Sequence, residues 1–148
     1  MRISRRAEYA LRALLLMSEE PIQKVHQIQD LSKRGNIPVK FLEQILLTLR
    51  NNGLLTSKRG VGGGYCLRKP PSELTILSVI EIFDGVIAPL PCALDRPREL
   101  CGCPDRTRCP LRLLMCDARQ ALVEVFGSKT VQDVLDQNRG EHTLAFEI

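Results

Sequence analysis

Apolar residues recur along most of this chain at helical spacing. The rhythm breaks once for a short glycine-rich stretch and once for about two dozen residues with no period. Ser4 is a helix-capping residue type. After it, Ala7, Ala10, Leu11, Leu14 and Met17 fall three and four apart, which predicts a helix to about Met17 with one buried stripe. Arg5, Glu8 and Arg12 share another face of it. VHQIQDLSKRGN predicts a short second helix, with Ile28 and Leu31 inward, His26 at the surface and Gly35-Asn36 as the stop. IPVKFLEQILLTLRNNG predicts a third, with Pro38 in its first turn, where a missing N–H costs nothing. Its core face is Leu42, Ile45, Leu46 and Leu49, and Asn52-Gly53 ends it. Two helices joined by a short turn, with one helix before them, make helix-turn-helix organisation.

The next stretch predicts strands at Leu54–Lys58 and Tyr65–Arg68 around a turn containing Gly60, Gly62, Gly63 and Gly64, closed by Pro70-Pro71. A hairpin directly after a helix-turn-helix is a wing, and this one carries Lys58, Arg59, Arg68 and Lys69. The glycines let its backbone turn tightly and approach a surface closely. The run is not a phosphate-binding P-loop: no Lys-Ser/Thr follows it, and a strand rather than a helix comes next. SELTILSVIEIFDG predicts a fourth helix, capped by Ser72 or Thr75 and stopped by Gly85. PLRLLMCDARQALVEVFGS predicts a long one. Its Leu111, Met115, Ala118, Leu122 and Val125 form a heptad seam, with Leu113 and Phe126 off it. A helix apolar on more than one side packs on its own domain and on a partner. SKTVQDVLDQN closes the helical series and RGEHTLAFEI reads as a mobile tail. The fold class is therefore mostly α. Residues 1–70 form a winged helix-turn-helix DNA-binding domain with a β-hairpin wing. Residues 71–138 add a helix, a cysteine loop and a long C-terminal dimerisation helix, and residues 139–148 are the tail.

Length and composition sharpen this. The chain has 148 residues, 44% of them hydrophobic and mostly aliphatic, enough for one core. No run of about 18 apolar residues spans a membrane. The basic, then apolar, N-terminus lacks a signal peptide's uninterrupted core and cleavage site, so the expected location is cytoplasmic. There, clustered cysteines point to metal or redox chemistry more than to structural disulfides. The net charge of +4 is unevenly spread: residues 1–70 hold 13 Lys/Arg against 5 Asp/Glu, and residues 71–148 hold 8 against 12. A basic first half fits a polyanionic partner, double-stranded DNA.

On the third helix Lys40, Glu43, Gln44 and Leu47 sit opposite the core stripe and form one face. A recognition helix presents such side chains to base edges in the major groove. Glu43 either accepts from a cytosine amino group or makes a surface pair with Lys40 or Arg50. Gln44 matches adenine, and Lys40 a phosphate or guanine. Leu47 meets a thymine methyl or simply packs. Arg59 at the wing tip suits a narrow minor groove. Arg50, Ser57, Lys58 and Tyr65 complete the candidate DNA-contacting set. Two histidines, His26 and His142, lie away from the cysteines. No nucleophile–base arrangement is readable, so no enzyme is expected.

PCALDRPRELCGCPDRTRC holds four of the six cysteines, Cys92, Cys101, Cys103 and Cys109. A structureless loop of that length inside a compact domain needs something to organise it. The spacings are neither the paired knuckles of a zinc ribbon nor the regular ferredoxin run. They suit an iron–sulfur cluster, around which a flexible loop can fold. Arg96, Arg98, Arg106 and Arg108 would offset the negative charge of thiolate ligation. Zinc held by four cysteines and a loop that forms disulfides are the alternatives. Cys66 and Cys116 read as small core residues.

SRRAEYALRALL followed by IPVKFLEQILLTLRNNGLLTSKRGVGGGYCL closely resembles the winged-helix repressor family of IscR, NsrR and CymR, over roughly residues 1–138. The resemblance implies a homodimer paired through the long helix, binding a palindromic operator with the third helix and the wing. It implies cluster ligation by three cysteines between the fourth and long helices, a placement that Cys92, Cys103 and Cys109 fit. It further implies control by redox state, iron–sulfur status or nitric oxide, or, in CymR-like members, by a partner protein. There are two departures. IscR-like members place a histidine soon after the last cysteine, where Leu111 and Arg112 stand here. NsrR-like members take a carboxylate from the partner's first helix, and Glu8 holds that position here. Glu8 and Cys101 are thus alternative fourth ligands, and two-iron and four-iron forms both stay open.

Overall fold

Ser4 begins the first helix as its residue type suggests: its hydroxyl accepts the N–H of Ala7 at 3.2 Å, and α1 runs Arg5–Ser18. Ala7, Ala10, Ala13, Leu14 and Met17 are buried along one stripe, so small residues let neighbouring helices approach closely. The computed structural model describes residues 1–94, 102–105 and 108–146. Helix α2 (Ile28–Gly35) ends at Asn36, whose left-handed conformation turns the chain and returns an N–H to the Ser32 carbonyl. Helix α3 (Val39–Asn51) follows and buries Leu42, Ile45, Leu46 and Leu49 completely. Full burial of four such side chains contributes roughly 1.5–3 kcal/mol each, which fixes the rotation of α3 and turns its other face to solvent.

Strands β1 (Leu55–Lys58) and β2 (Gly64–Leu67) pair antiparallel, from Leu55 opposite Leu67 to Lys58 opposite Gly64. Each boundary lies within a residue of the one the sequence predicts. The connecting turn relies on Gly60 and Gly62, both at positive φ. The wing has a third member. His26 exchanges main-chain hydrogen bonds with Tyr65, its N–H reaching the Tyr65 carbonyl at 2.7 Å and the Tyr65 N–H returning at 2.9 Å. A methyl group at Gly64 would overlap the His26 carbonyl oxygen, so glycine is required there for close approach rather than for turning.

Helix α4 (Ile76–Asp84) is capped by the Thr75 hydroxyl, not by Ser72, which lies in a separate short turn, Pro71–Glu73. It ends at Gly85. Another short turn, Pro91–Ala93, precedes helix α5 (Pro110–Ser128), whose N-cap residue is Cys109. Helix α6 runs Val131–Phe146. It continues past Asn138, where the sequence pattern ends it. Gly140 costs about 1 kcal/mol in a helix interior and does not by itself stop one. One core gathers residues from α1, α2, α3 and the wing together with Leu74, Val79 and Val131. The winged unit therefore shares its hydrophobic interior with α4 and the start of α6.

Candidate nucleic-acid interface and cysteine segment

Because α3's inner stripe is fixed by burial, Lys40, Glu43 and Gln44 stand exposed on its outer face, with Leu47 half-buried beside them. Among the described residues Glu43 has no ion-pair partner: neither Lys40 nor Arg50 lies within salt-bridge distance. The plain surface pair is thus not formed, and the carboxylate stays available to a hydrogen-bond donor. Arg50 instead spans to the wing, donating to the Ser57 hydroxyl at 3.4 Å and to the Asn51 carbonyl oxygen of its amide at 3.4 Å. This brings Arg50 and Ser57 together at the junction of helix and hairpin. Lys58 and Arg59 are exposed at the wing's end, and Tyr65 is half-buried against the core.

Two features went unread in the sequence. Phe41 is largely exposed at the start of α3, its ring 6.5 Å from that of Tyr9. Tyr9 in turn carries the Arg12 guanidinium 5.3 Å from its centroid. Arg12 also donates to the Gly35 carbonyl at 3.0 Å, so α1 braces the turn between α2 and α3. An exposed aromatic next to the lysine of the recognition face was the available signal.

His26 corrects the sequence reading outright. It precedes α2 rather than lying in it, and it is 3% exposed, because its backbone completes the wing sheet and draws the side chain inward. Burial lowers its pKa from 6.5, and Arg34 and Lys24 push the same way against Glu20 and Asp30. The unfolded chain therefore takes up this proton more readily than the folded one. The stability tied to neutral His26 is complete above about pH 6.5 and is lost as pH falls through the lower folded-state value. The thermal midpoint should drop between about pH 7.5 and about pH 5.5, and His26→Gln should make that drop shallower. Equal slopes in the two proteins would remove His26 as the cause.

In the cysteine segment, Cys92 sits in the turn Pro91–Ala93 and Cys109 at the head of α5; both thiols are free and half-buried, and Cys103 is half-buried between them. Arg112 links the two ends. Its Nε donates to the Cys92 carbonyl at 3.1 Å, and its main-chain N–H donates to the Cys109 carbonyl at 3.2 Å. Seven residues along the same helix, Arg119 holds the Ile87 carbonyl at 3.0 Å. Cys101, Arg96, Arg98 and Arg106 lie outside the described residues. Among the described residues no three His, Cys, Asp or Glu side chains are gathered as a metal site. The donor chemistry nonetheless fits: soft thiols at both ends of one segment, tied to one helix and backed by arginine, are what thiolate-ligated iron takes. Glu8 forms ion pairs with Arg12 at 2.6 Å and Arg5 at 3.7 Å within the chain. Cys66 is buried in the wing beside the Thr56 hydroxyl at 3.0 Å, a small core residue as expected, whereas Cys116 is only half-buried.

Along α5 no residue is buried. Leu111, Leu114, Ala121 and Val125 lie exposed at spacings of three, seven and four, while Met115, Ala118 and Leu122 of the expected seam are half-buried. No helix among the described residues is long and apolar enough to cross a membrane.

A helix with an open polar face, a preceding helix braced against its turn and a basic hairpin on the same core define a winged helix-turn-helix DNA-binding protein. The chain belongs to the Rrf2 family, described as iron-dependent transcriptional regulators, whose model matches residues 3–137. It is 35% identical over 137 residues to an rrf2-like HTH-type transcriptional regulator of Rhodobacter capsulatus, covering 90% of this chain and 91% of that one. It is 31% identical over 136 residues to the HTH-type transcriptional regulator IscR of Photorhabdus laumondii, covering 92% and 80%. Among solved structures it is similar to CymR, the global cysteine regulator of B. subtilis, with a TM-score of 0.76, 26% identity and coverage of 93% and 98%. The chain is a transcriptional regulator of the IscR and CymR type, and its family is one of regulators rather than enzymes.

Proposed function

We propose that this regulator is a homodimeric cytoplasmic repressor whose hold on a palindromic operator is set by an iron–sulfur cluster in the cysteine segment. The observation that carries this reading is the tie between that segment and α5: the main chain at Cys92 and Cys109 meets at Arg112, on a helix whose Leu111, Leu114 and Val125 stand exposed. Cys92, Cys103 and Cys109 would hold the group, with Cys101 or Glu8 of the partner subunit as the remaining donor. When bound, the cluster supplies a centre that responds to oxidant, iron supply or nitric oxide. The chain's own residues do the rest. Lys40, Glu43 and Gln44 face base edges, Arg50, Ser57 and Lys58 face phosphates, Arg59 enters the minor groove, and Tyr65 seats the wing. Two such grips must meet half-sites about one helical turn apart. A change of order in the segment heading α5 would therefore alter operator affinity through a small change of angle.

The likeness to CymR favours a second reading, in which the same fold carries no cluster and answers to a partner protein or to thiol oxidation. One experiment separates them. Anaerobically purified protein is expected to be brown, to contain iron and sulfide in similar amounts, and to change its shift of an operator fragment when the iron is removed. Colourless, metal-free protein with the same shift supports the second reading. Colourless protein with stoichiometric zinc makes the segment a structural metal module.

A further inference from the structure

We infer that Arg112 is a positioning residue for the cysteine segment: it holds Cys92 against the head of α5 so that two thiols distant in sequence are set out before any ligand arrives. This rests on the reading that these cysteines act together, but its geometry belongs to the polypeptide alone. Cys92 and Arg112 are separated by 20 residues of chain. Closing such a loop costs conformational entropy that something must offset. The Arg112 Nε offsets part of it with a 3.1 Å bond to the Cys92 carbonyl. The same residue's N–H is committed to the Cys109 carbonyl at 3.2 Å, in the first turn of α5. Both acceptors are main-chain oxygens, so the arrangement leaves both sulfurs available and does not depend on their protonation. The bond to Cys92 is charge-assisted, which makes it stronger than a neutral one. Pro110 in the first turn of α5 stiffens the element that carries the arginine. Arg119 repeats the device two turns further on, at the Ile87 carbonyl, so the chain leading into the segment is held to α5 as well. A guanidinium cannot ligate iron; at Arg112 its task is to hold the backbone.

The test uses the full chain in two states. In iron-free, reduced protein, a short rigid bis-maleimide is applied and the Cys92–Cys109 cross-link is quantified by peptide mapping. Arg112→Gln is expected to lower the cross-linking rate about three- to tenfold, the range for the net loss of one hydrogen bond at an exposed site. Arg112→Lys, which keeps a charged donor, is expected to recover most of it. The urea midpoint should move little, because the Arg112 side chain is exposed. In anaerobically loaded protein, the rate of iron loss to a chelator should rise with Arg112→Gln and return with Arg112→Lys. An unchanged cross-linking rate in Arg112→Gln overturns the positioning role even where the wild-type protein is brown. A wild-type protein without iron in which the rate still falls defeats the cluster and leaves the positioning role standing.

Discussion

Replacing Leu114 by Glu should yield a folded monomer that binds a palindromic operator about 10²–10⁴-fold more weakly, the range for losing a linked second binding event. The reasoning begins with α5. A helix of 19 residues with none buried in its own chain leaves apolar surface in water. Leu114 is 59% exposed and Val125 57%. In the monomer a carboxylate at position 114 reaches water, so folding is little affected. In a paired interface it must be desolvated opposite apolar side chains, at a cost of several kcal/mol. Each half-site would then be bound independently, and the slope of log affinity against log salt should fall to about half, since half the phosphate contacts are gone. Light scattering after size-exclusion chromatography and operator titration at two salt concentrations measure both effects. A dimer of unchanged affinity would place the pairing surface elsewhere. Leu114 is the position to change because Met115 and Leu122, beside it on the expected seam, are already half-buried.

The sequence was most legible where a local rule acts through a few neighbours. Ser4, Asn36, Thr75 and Gly85 mark helix ends because capping and left-handed turns are decided within four residues. Leu42, Ile45, Leu46 and Leu49 set the face of α3 by spacing alone, and with it the outward set Lys40, Glu43 and Gln44. His26 was illegible because its place depends on pairing with Tyr65, 39 positions away, and no local pattern reports such a pair. Gly64 was recognised as a turn residue for the same reason: its approach to His26 exists only once the wing has folded back. The phase of α5 was blurred because apolar residues line both its sides, so periodicity cannot say which side meets the rest of the chain. In the cysteine segment, spacing restricts the donor type but not the placement. The tie through Arg112 is a side-chain contact to main-chain carbonyls, and those leave no trace in residue types.

Cys92→Ala, Cys103→Ala and Cys109→Ala should each abolish the visible absorbance of anaerobically purified protein, whereas Cys66→Ala should keep it. The contrast follows from where the thiols sit. Cys66 is 7% exposed and packed beside Thr56 within the wing, paired across the hairpin and committed to the core. The other three lie half-buried in or at the ends of the segment, outside the hydrophobic core. Their removal should therefore change stability by less than about 1 kcal/mol, as surface substitutions do, and far-ultraviolet circular dichroism should stay the same. Loss of colour without loss of fold is the signature of a missing donor. Cys101→Ala and Glu8→Ala then divide the remaining position: the one that supplies a donor shifts or loses the absorbance, and the other leaves it intact. Glu8→Ala carries an internal control. It also breaks the 2.6 Å pair with Arg12, the residue that braces the Gly35 carbonyl at the turn before α3. Operator affinity of the iron-free protein should therefore fall a few-fold in Glu8→Ala and stay unchanged in Cys101→Ala. Full absorbance in all three of the Cys92, Cys103 and Cys109 variants would sink the cluster in this segment and leave thiol oxidation or a partner protein to govern the same winged fold.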